Sequence, residues 1–137
     1  MVFRDLVRVA RLLNDLVIGK SIYDLIKLGW NPTTLYRVLR ELVEYGFVRV
    51  TTYGGVRHYH LTGLGAEYLK ILRLAIARKV CRELEKRGIK YTIWYGDNEV
   101  RATAPVIYVE RKTDIPLNTE GLVKIEVRPD VANHREE

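Results

Sequence analysis

The sequence predicts an α+β fold in which helices come first and a small sheet comes last. Apolar residues recur at helical spacing in two regions, residues 3–45 and 64–87. Between them, alternating segments at residues 47–53 and 56–61 flank Gly54-Gly55 and predict a β-hairpin with a tight turn. Short apolar segments after the second helical region, separated by turn residues, predict a small antiparallel β-appendage.

The first helical region divides into three helices at recognisable start signals. The first helix is predicted over residues 3–18, because its apolar residues fall on one side. A short second helix is expected over residues 21–28, since Ser21 is a good N-cap. Asn31-Pro32 marks the start of the third helix, because Asn caps well and Pro fits the first helical position. The third helix is expected over residues 33–45.

The polar side of the third helix predicts a DNA-binding surface. Its N-terminal half offers hydroxyl, phenol and guanidinium groups, which hydrogen-bond base edges and phosphates. These candidates are Thr33, Thr34, Tyr36, Arg37 and Arg40. Glu41 and Glu44 lie toward the other end of this helix, where we expect them to be further from DNA.

Further arginines are candidate contacts to the DNA backbone. Arg57 lies beside the hairpin tip and Arg49 further back, positions suited to the phosphates or to a narrow minor groove. Arg4, Arg8 and Arg11 line one face of the first helix. For both groups the alternative interpretation is a solvated basic surface.

The charge distribution favours a polyanionic partner for the first ninety residues. The chain has a net charge of +6. Residues 1–62 contain nine Lys/Arg and five Asp/Glu, and residues 63–90 contain eight and three. Residues 91–137 contain six and nine and are therefore acidic. We expect the basic part to bind nucleic acid and the acidic part to face away or to serve another purpose.

Cysteine content and hydropathy indicate a reducing, cytoplasmic setting without a membrane partner. Cys81 is the only cysteine, so a disulfide or a Cys-based zinc site within one chain is excluded. The N-terminus is not a signal peptide, and no apolar run is long enough to span a bilayer. His58 and His60 share a strand face without an evident third ligand, so neither a metal nor a cofactor is expected. The absence of Gln and the 29% charged residues resemble proteins from hot environments.

The chain is expected to divide into four parts. Residues 1–63 form the DNA-binding domain, residues 64–88 a long helix, residues 89–128 the β-appendage and residues 129–137 a flexible tail. The long helix is apolar on two sides. One stripe contains Leu69, Leu72, Ile76, Val80 and Leu84, and the second contains Tyr68, Ile71 and Ala75. The second stripe predicts a homodimer, with burial against the β-appendage as the alternative.

Two segments resemble winged-helix transcription regulators: Pro32–Arg37 with the turn Tyr45–Val48, and Arg57–Thr62 followed by Gly65. The first is similar to a recognition helix and the turn after it. The second is similar to the second wing strand and exit of MarR-like and PadR-like groups. The resemblance covers roughly residues 3–88. It implies sequence-specific binding of double-stranded DNA by a homodimer, with the third helix in the major groove and Arg57 on the wing.

Two other function classes remain open. Asp97 followed by Glu110-Arg111-Lys112 resembles the D…ExK signature of Mg²⁺-dependent nucleases, in which carboxylates hold the metal and the lysine supports the attacking water. The triplet is common, and residues 113–121 are too short and broken to supply the helix that normally follows it. A winged helix that meets a protein partner is the other alternative.

Overall fold

The computed structural model describes residues 6–95, 104–115, 119 and 121–133, which form a mixed α+β fold. The expected α+β class is confirmed at this level. The chain divides into two compact units, Met1–Lys70 and Ile71–Glu137. In chain order the elements are α1 (Leu6–Asp15), β1 (Lys20–Ser21), α2 (Ile22–Lys27), α3 (Pro32–Glu44), β2 (Val48–Tyr53), β3 (Val56–Leu61), α4 (Gly63–Lys86), β4 (Tyr91–Trp94), β5 (Val106–Val109) and β6 (Lys124–Val127).

Side-chain caps fix the starts of α2 and α3, as the sequence predicts. The Ser21 hydroxyl accepts from the Asp24 amide at 3.1 Å, and the Asp24 carboxylate accepts from the Ser21 amide at 3.1 Å. The Ser21 backbone amide, and after it the Ser21 side chain, lowers the pKa of the Asp24 carboxyl. The Asn31 side chain accepts from the amides of Thr33 and Thr34 at 3.0 and 3.3 Å, with Pro32 in the first helical turn. Local chemistry therefore determines where α3 begins.

The hairpin belongs to a three-stranded sheet of order β1-β3-β2. Gly54 and Gly55 have φ values of 57° and 76°. Two successive positive φ values are typical of a type I′ hairpin turn. β1 was not predicted from the sequence. The helix α1 ends at Asp15 rather than near residue 18, and the chain then extends so that Lys20 pairs with Tyr59.

A close backbone approach joins β2 to the start of α4. The Thr62 hydroxyl donates to the Gly46 carbonyl at 2.6 Å and accepts from the Gly65 amide at 3.0 Å. A Cβ atom at Gly65 would lie 2.0 Å from the Phe47 carbonyl oxygen, so only glycine permits this approach. One turn along, the Tyr68 ring stacks on Phe47 with a centroid separation of 4.3 Å. The hairpin base is thereby fixed to the first turns of α4.

The second unit contains most of α4 and a sheet of order β4-β5-β6. The expectation of an antiparallel appendage is half wrong: β4 pairs antiparallel with β5, whereas β5 pairs parallel with β6. Residues 110–123, which connect β5 to β6, are long enough for the crossover that parallel pairing needs. The strand predicted at residues 100–103 lies outside the described residues.

A 3-10 helix, Pro129–Asn133, occupies the start of the segment that was expected to be flexible. Val131 within it is buried, which explains why this segment adopts a defined conformation. Residues 134–137 lie outside the described part of the chain.

The first apolar stripe of α4 is buried throughout, as predicted. Leu69, Val80 and Leu84 are fully inaccessible, and Leu72 and Ile76 are 3% and 2% exposed. Within the described residues, no helix has both the length and the apolar character that crossing a membrane would require.

Candidate nucleic-acid interface

A groove runs between α3 and the hairpin β2–β3 in the first unit. Its volume is about 590 Å³, and its floor is apolar because Val50, Tyr59 and Leu39 contribute to it. Its polar lining consists of Tyr36, Arg37, Arg40, Glu44 and Arg57. The structure therefore brings four of the seven predicted site residues, Tyr36, Arg37, Arg40 and Arg57, to one concave surface.

Burial of one side of α3 directs the other side outward. Leu35, Leu39 and Leu42 are at most 1% exposed and attach the helix to the core. Because side chains three or four residues apart share a helix face, Arg37 and Arg40 lie together on the solvent side. Tyr36 beside them is 53% exposed.

The pairing register places the two hairpin arginines on opposite faces. Arg57 lies opposite Thr52, and Val50 lies opposite Tyr59, so these four share the face that lines the groove. Arg49 lies opposite His60 on the other face. Arg49 is exposed but is separated from the groove by the ribbon itself. The sequence identified both arginines without distinguishing their faces.

The two threonines at the start of α3 have different surroundings. Thr33 is exposed, whereas Thr34 is half-buried and lines a second cavity of about 520 Å³. Arg8 and Arg11 of α1 and Trp30 line the same cavity. The Trp30 ring nitrogen donates to the Asp15 carboxylate at 2.8 Å, which fixes the indole between α1 and α3. Trp30 itself is half-buried.

The groove is lined by three arginines and one glutamate, so its lining has an excess of positive charge. Arg37, Arg40 and Arg57 form neither a hydrogen bond nor an ion pair within the described residues, although Glu41 and Glu44 lie on the same helix. Three guanidinium groups that are left accessible around an apolar floor can accept phosphate oxygens or guanine edges.

Glu44 also lines this groove, together with Arg37 and Arg40. It was not singled out as a site residue from the sequence, and it was expected to lie further from DNA because it is toward the C-terminal end of α3. The spacing carried a signal for its place in the lining, because Arg40 and Glu44 are one turn apart and share a face.

The two histidines lie on the face of the hairpin that carries Arg49, and each lies close to a residue of the same sheet. His60 Nε2 lies 2.9 Å from the Thr51 hydroxyl, and His58 Nδ1 lies 3.2 Å from the Val56 carbonyl. Among the residues that the structure describes, no three His, Cys, Asp or Glu side chains are grouped so as to hold a metal ion.

The residues of the nuclease alternative are only partly within the described chain. Asp97 lies outside it. The Glu110 carboxylate accepts from the Lys90 amide and from the Arg111 guanidinium, each at 3.2 Å. Cys81 is buried, and this burial raises the pKa of its thiol, which keeps it protonated and suits a packing role.

Comparison with known proteins adds no relative: no family model, no curated protein and no solved structure matches this chain.

Proposed function

We propose that this protein is a winged-helix regulator that binds double-stranded DNA in a sequence-specific manner through the groove between α3 and the hairpin. One observation carries the proposal. Arg37, Arg40 and Arg57 line a single surface and have no partner within the described residues. Exposed cations without partners are typical of surfaces that bind a polyanion.

In the proposed complex, α3 enters the major groove. Arg37 and Arg40 read guanine edges, because a guanidinium can donate two parallel hydrogen bonds to O6 and N7. Thr33 and Tyr36 contribute hydroxyl groups at the same helix end. Arg57 projects from the ribbon beside the helix and contacts the phosphates. The excess of Lys/Arg over Asp/Glu in residues 1–62 supports a polyanionic partner for this part of the chain.

The proposal includes a homodimer, because two copies would address two half-sites of one operator. Ile71 is 60% exposed, and Ala75 one turn later is also exposed. The ring of Tyr68, the third member of this stripe, stacks on Phe47. An exposed apolar face on a long helix is a suitable contact for the same face of a second copy.

The proposal is tested by selecting a duplex from a random library for tight binding. The affinity of the protein is then measured for this selected duplex and for a scrambled duplex. We expect tighter binding to the selected duplex, a strong loss of affinity between two salt concentrations, and intact DNA after incubation with Mg²⁺. Equal affinity for both duplexes contradicts the sequence specificity, and an absence of binding to any duplex contradicts the whole proposal. Mg²⁺-dependent cleavage would favour the nuclease alternative.

Arg57 and Arg49 provide a matched pair, since both are exposed hairpin arginines on opposite faces. We expect Arg57→Ala to weaken binding to all duplexes alike and to reduce the slope of log affinity against log salt by about 1. Arg49→Ala removes the same charge outside the groove and should change the slope much less. The measurement is a fluorescence anisotropy titration at four salt concentrations, and equal effects of the two variants would contradict the assigned groove.

The dimer is tested by Ile71→Glu, which places a charge on the exposed apolar face of α4. We expect a shift from dimer to monomer in sedimentation velocity, because burying an unpaired carboxylate opposes association. Ile18→Glu is the control, since Ile18 is 75% exposed on a loop before β1. A wild-type protein that is monomeric at high concentration would exclude this part of the proposal.

A further inference from the structure

The last turn of α3 contains a charge pattern that opposes helix stability. Glu41 and Glu44 lie there, and the turn has no basic residue. Because the C-terminal end of a helix carries partial negative charge, carboxylates in this turn are unfavourable. Glu44 is exposed and forms no hydrogen bond or ion pair with any described residue. A residue whose charge is unfavourable at its place in a helix, and which makes no contact that offsets this, is a candidate for a functional role.

Glu44 lies on the surface that the proposed function assigns to DNA. It lines the groove together with Arg37, Arg40 and Arg57. Arg37, Arg40 and Glu44 follow one another at intervals of three and four residues, so they form a row along one face of α3. Seven residues of helix extend about 10 Å, which is roughly three base steps of duplex. The row is therefore long enough for each member to meet a different base pair.

The chemistry of a carboxylate in this row is selective. An ionised carboxylate only accepts hydrogen bonds, so it repels backbone phosphates and the acceptor atoms of guanine and thymine. Cytosine presents an amino donor, N4, in the major groove, whereas the amino donor of adenine, N6, lies beside the acceptor N7, which repels a carboxylate. The natural partner of a carboxylate is therefore cytosine. Glu44 can thus exclude some bases and favour one, whereas the arginines beside it favour guanine.

We propose that Glu44 is a specificity-determining residue that accepts a hydrogen bond from the N4 amino group of a cytosine, within about three base pairs of the guanines read by Arg37 and Arg40. This inference rests on the proposed function. The DNA that this surface selects would then contain half-sites in which a cytosine lies close to guanine.

The decisive comparison is between Glu44→Gln and Glu44→Ala, each used to select duplexes from the same random library. Gln keeps the length of Glu but pairs with adenine through N6 and N7. The preferred base at one half-site position therefore changes from cytosine to adenine in Glu44→Gln, and the preference disappears in Glu44→Ala. At that position we expect the discrimination to change by roughly 5- to 150-fold, while the other positions stay as in the wild type.

Glu67→Gln is the matched control, because it removes the same charge from an exposed position at the start of α4, outside the groove. Any gain in affinity from the more positive net charge appears in this control too. Circular dichroism melts of all variants check that each is folded. A selected motif that is unchanged in Glu44→Gln overturns the inference, as does a uniform gain in affinity on all duplexes beyond that of the control. A wild-type protein that binds no duplex overturns the proposed function itself, which is a different result.

Discussion

Replacement of Arg37 or Arg40 by alanine is expected to lower the affinity for the selected duplex by about 1–3 kcal/mol each, and to relax the preference for guanine at one position per half-site. Both guanidinium groups line the groove and have no partner within the described chain, so their removal leaves no new unpaired charge in the protein. The loss should therefore come from the DNA contacts and not from the stability of the fold.

Lysine substitutions separate charge from geometry in this prediction. Arg37→Lys and Arg40→Lys keep the positive charge but lose the two parallel donors that fit guanine. We expect these variants to bind a scrambled duplex as the wild type does, while losing much of the preference for the selected one. Anisotropy titrations on both duplexes at one salt concentration provide the measurement. If lysine restores full discrimination, Arg37 and Arg40 contact phosphates and the base-reading role is wrong.

The features predicted correctly from the sequence have local causes. The caps at Ser21 and Asn31 depend on side chains that bond to the backbone two or three residues away. The turn at Gly54-Gly55 depends on two residues that both adopt positive φ. The buried stripe of α4 follows from helical periodicity alone. Each of these patterns is contained within a short stretch of chain, so the sequence is sufficient to identify it.

The features that were missed depend on contacts between distant segments. β1 has only two residues and forms because Lys20 and Ser21 meet β3 almost forty residues later. The parallel pairing of β5 with β6 joins two strands that residues 110–123 separate in the sequence, and that stretch of sequence carries no local signal for it. Such pairings are set by tertiary packing and not by propensity.

The composition of the candidate site was predictable only in part. The arginines of α3 were identified because amphipathic periodicity shows which side of a helix is exposed. The two-residue turn and the alternation of the strands put Arg49 and Arg57 on opposite faces of the hairpin, but the sequence leaves open which of these faces lies toward α3. Glu44 was expected to lie further from DNA because of its position along α3, and its place in the groove lining follows from the helix face that it shares with Arg40.

Leu42→Ala is expected to lower the free energy of unfolding by about 2–5 kcal/mol, because a fully buried leucine is truncated and a cavity remains. Leu42 anchors the last turn of α3, and its carbonyl accepts from the Phe47 amide at 2.9 Å. The free energy of unfolding of a domain of this size is only about 5–15 kcal/mol, so Leu42→Ala would remove a large fraction of it. Urea unfolding followed by circular dichroism measures the change.

Leu28→Ala is the control for this prediction, since the same atoms are removed from a side chain that is 57% exposed. We expect a loss of about 1 kcal/mol or less there, because most of the side chain already contacts water. At temperatures where Leu42→Ala is still folded, it should retain affinity for the selected duplex, since α3 keeps its outward face. A loss of binding without a loss of stability would mean that Leu42 takes part in recognition, which contradicts its burial. The opposite pattern, low stability with normal binding, is the one that distinguishes the residues that hold α3 in position from those that face the groove.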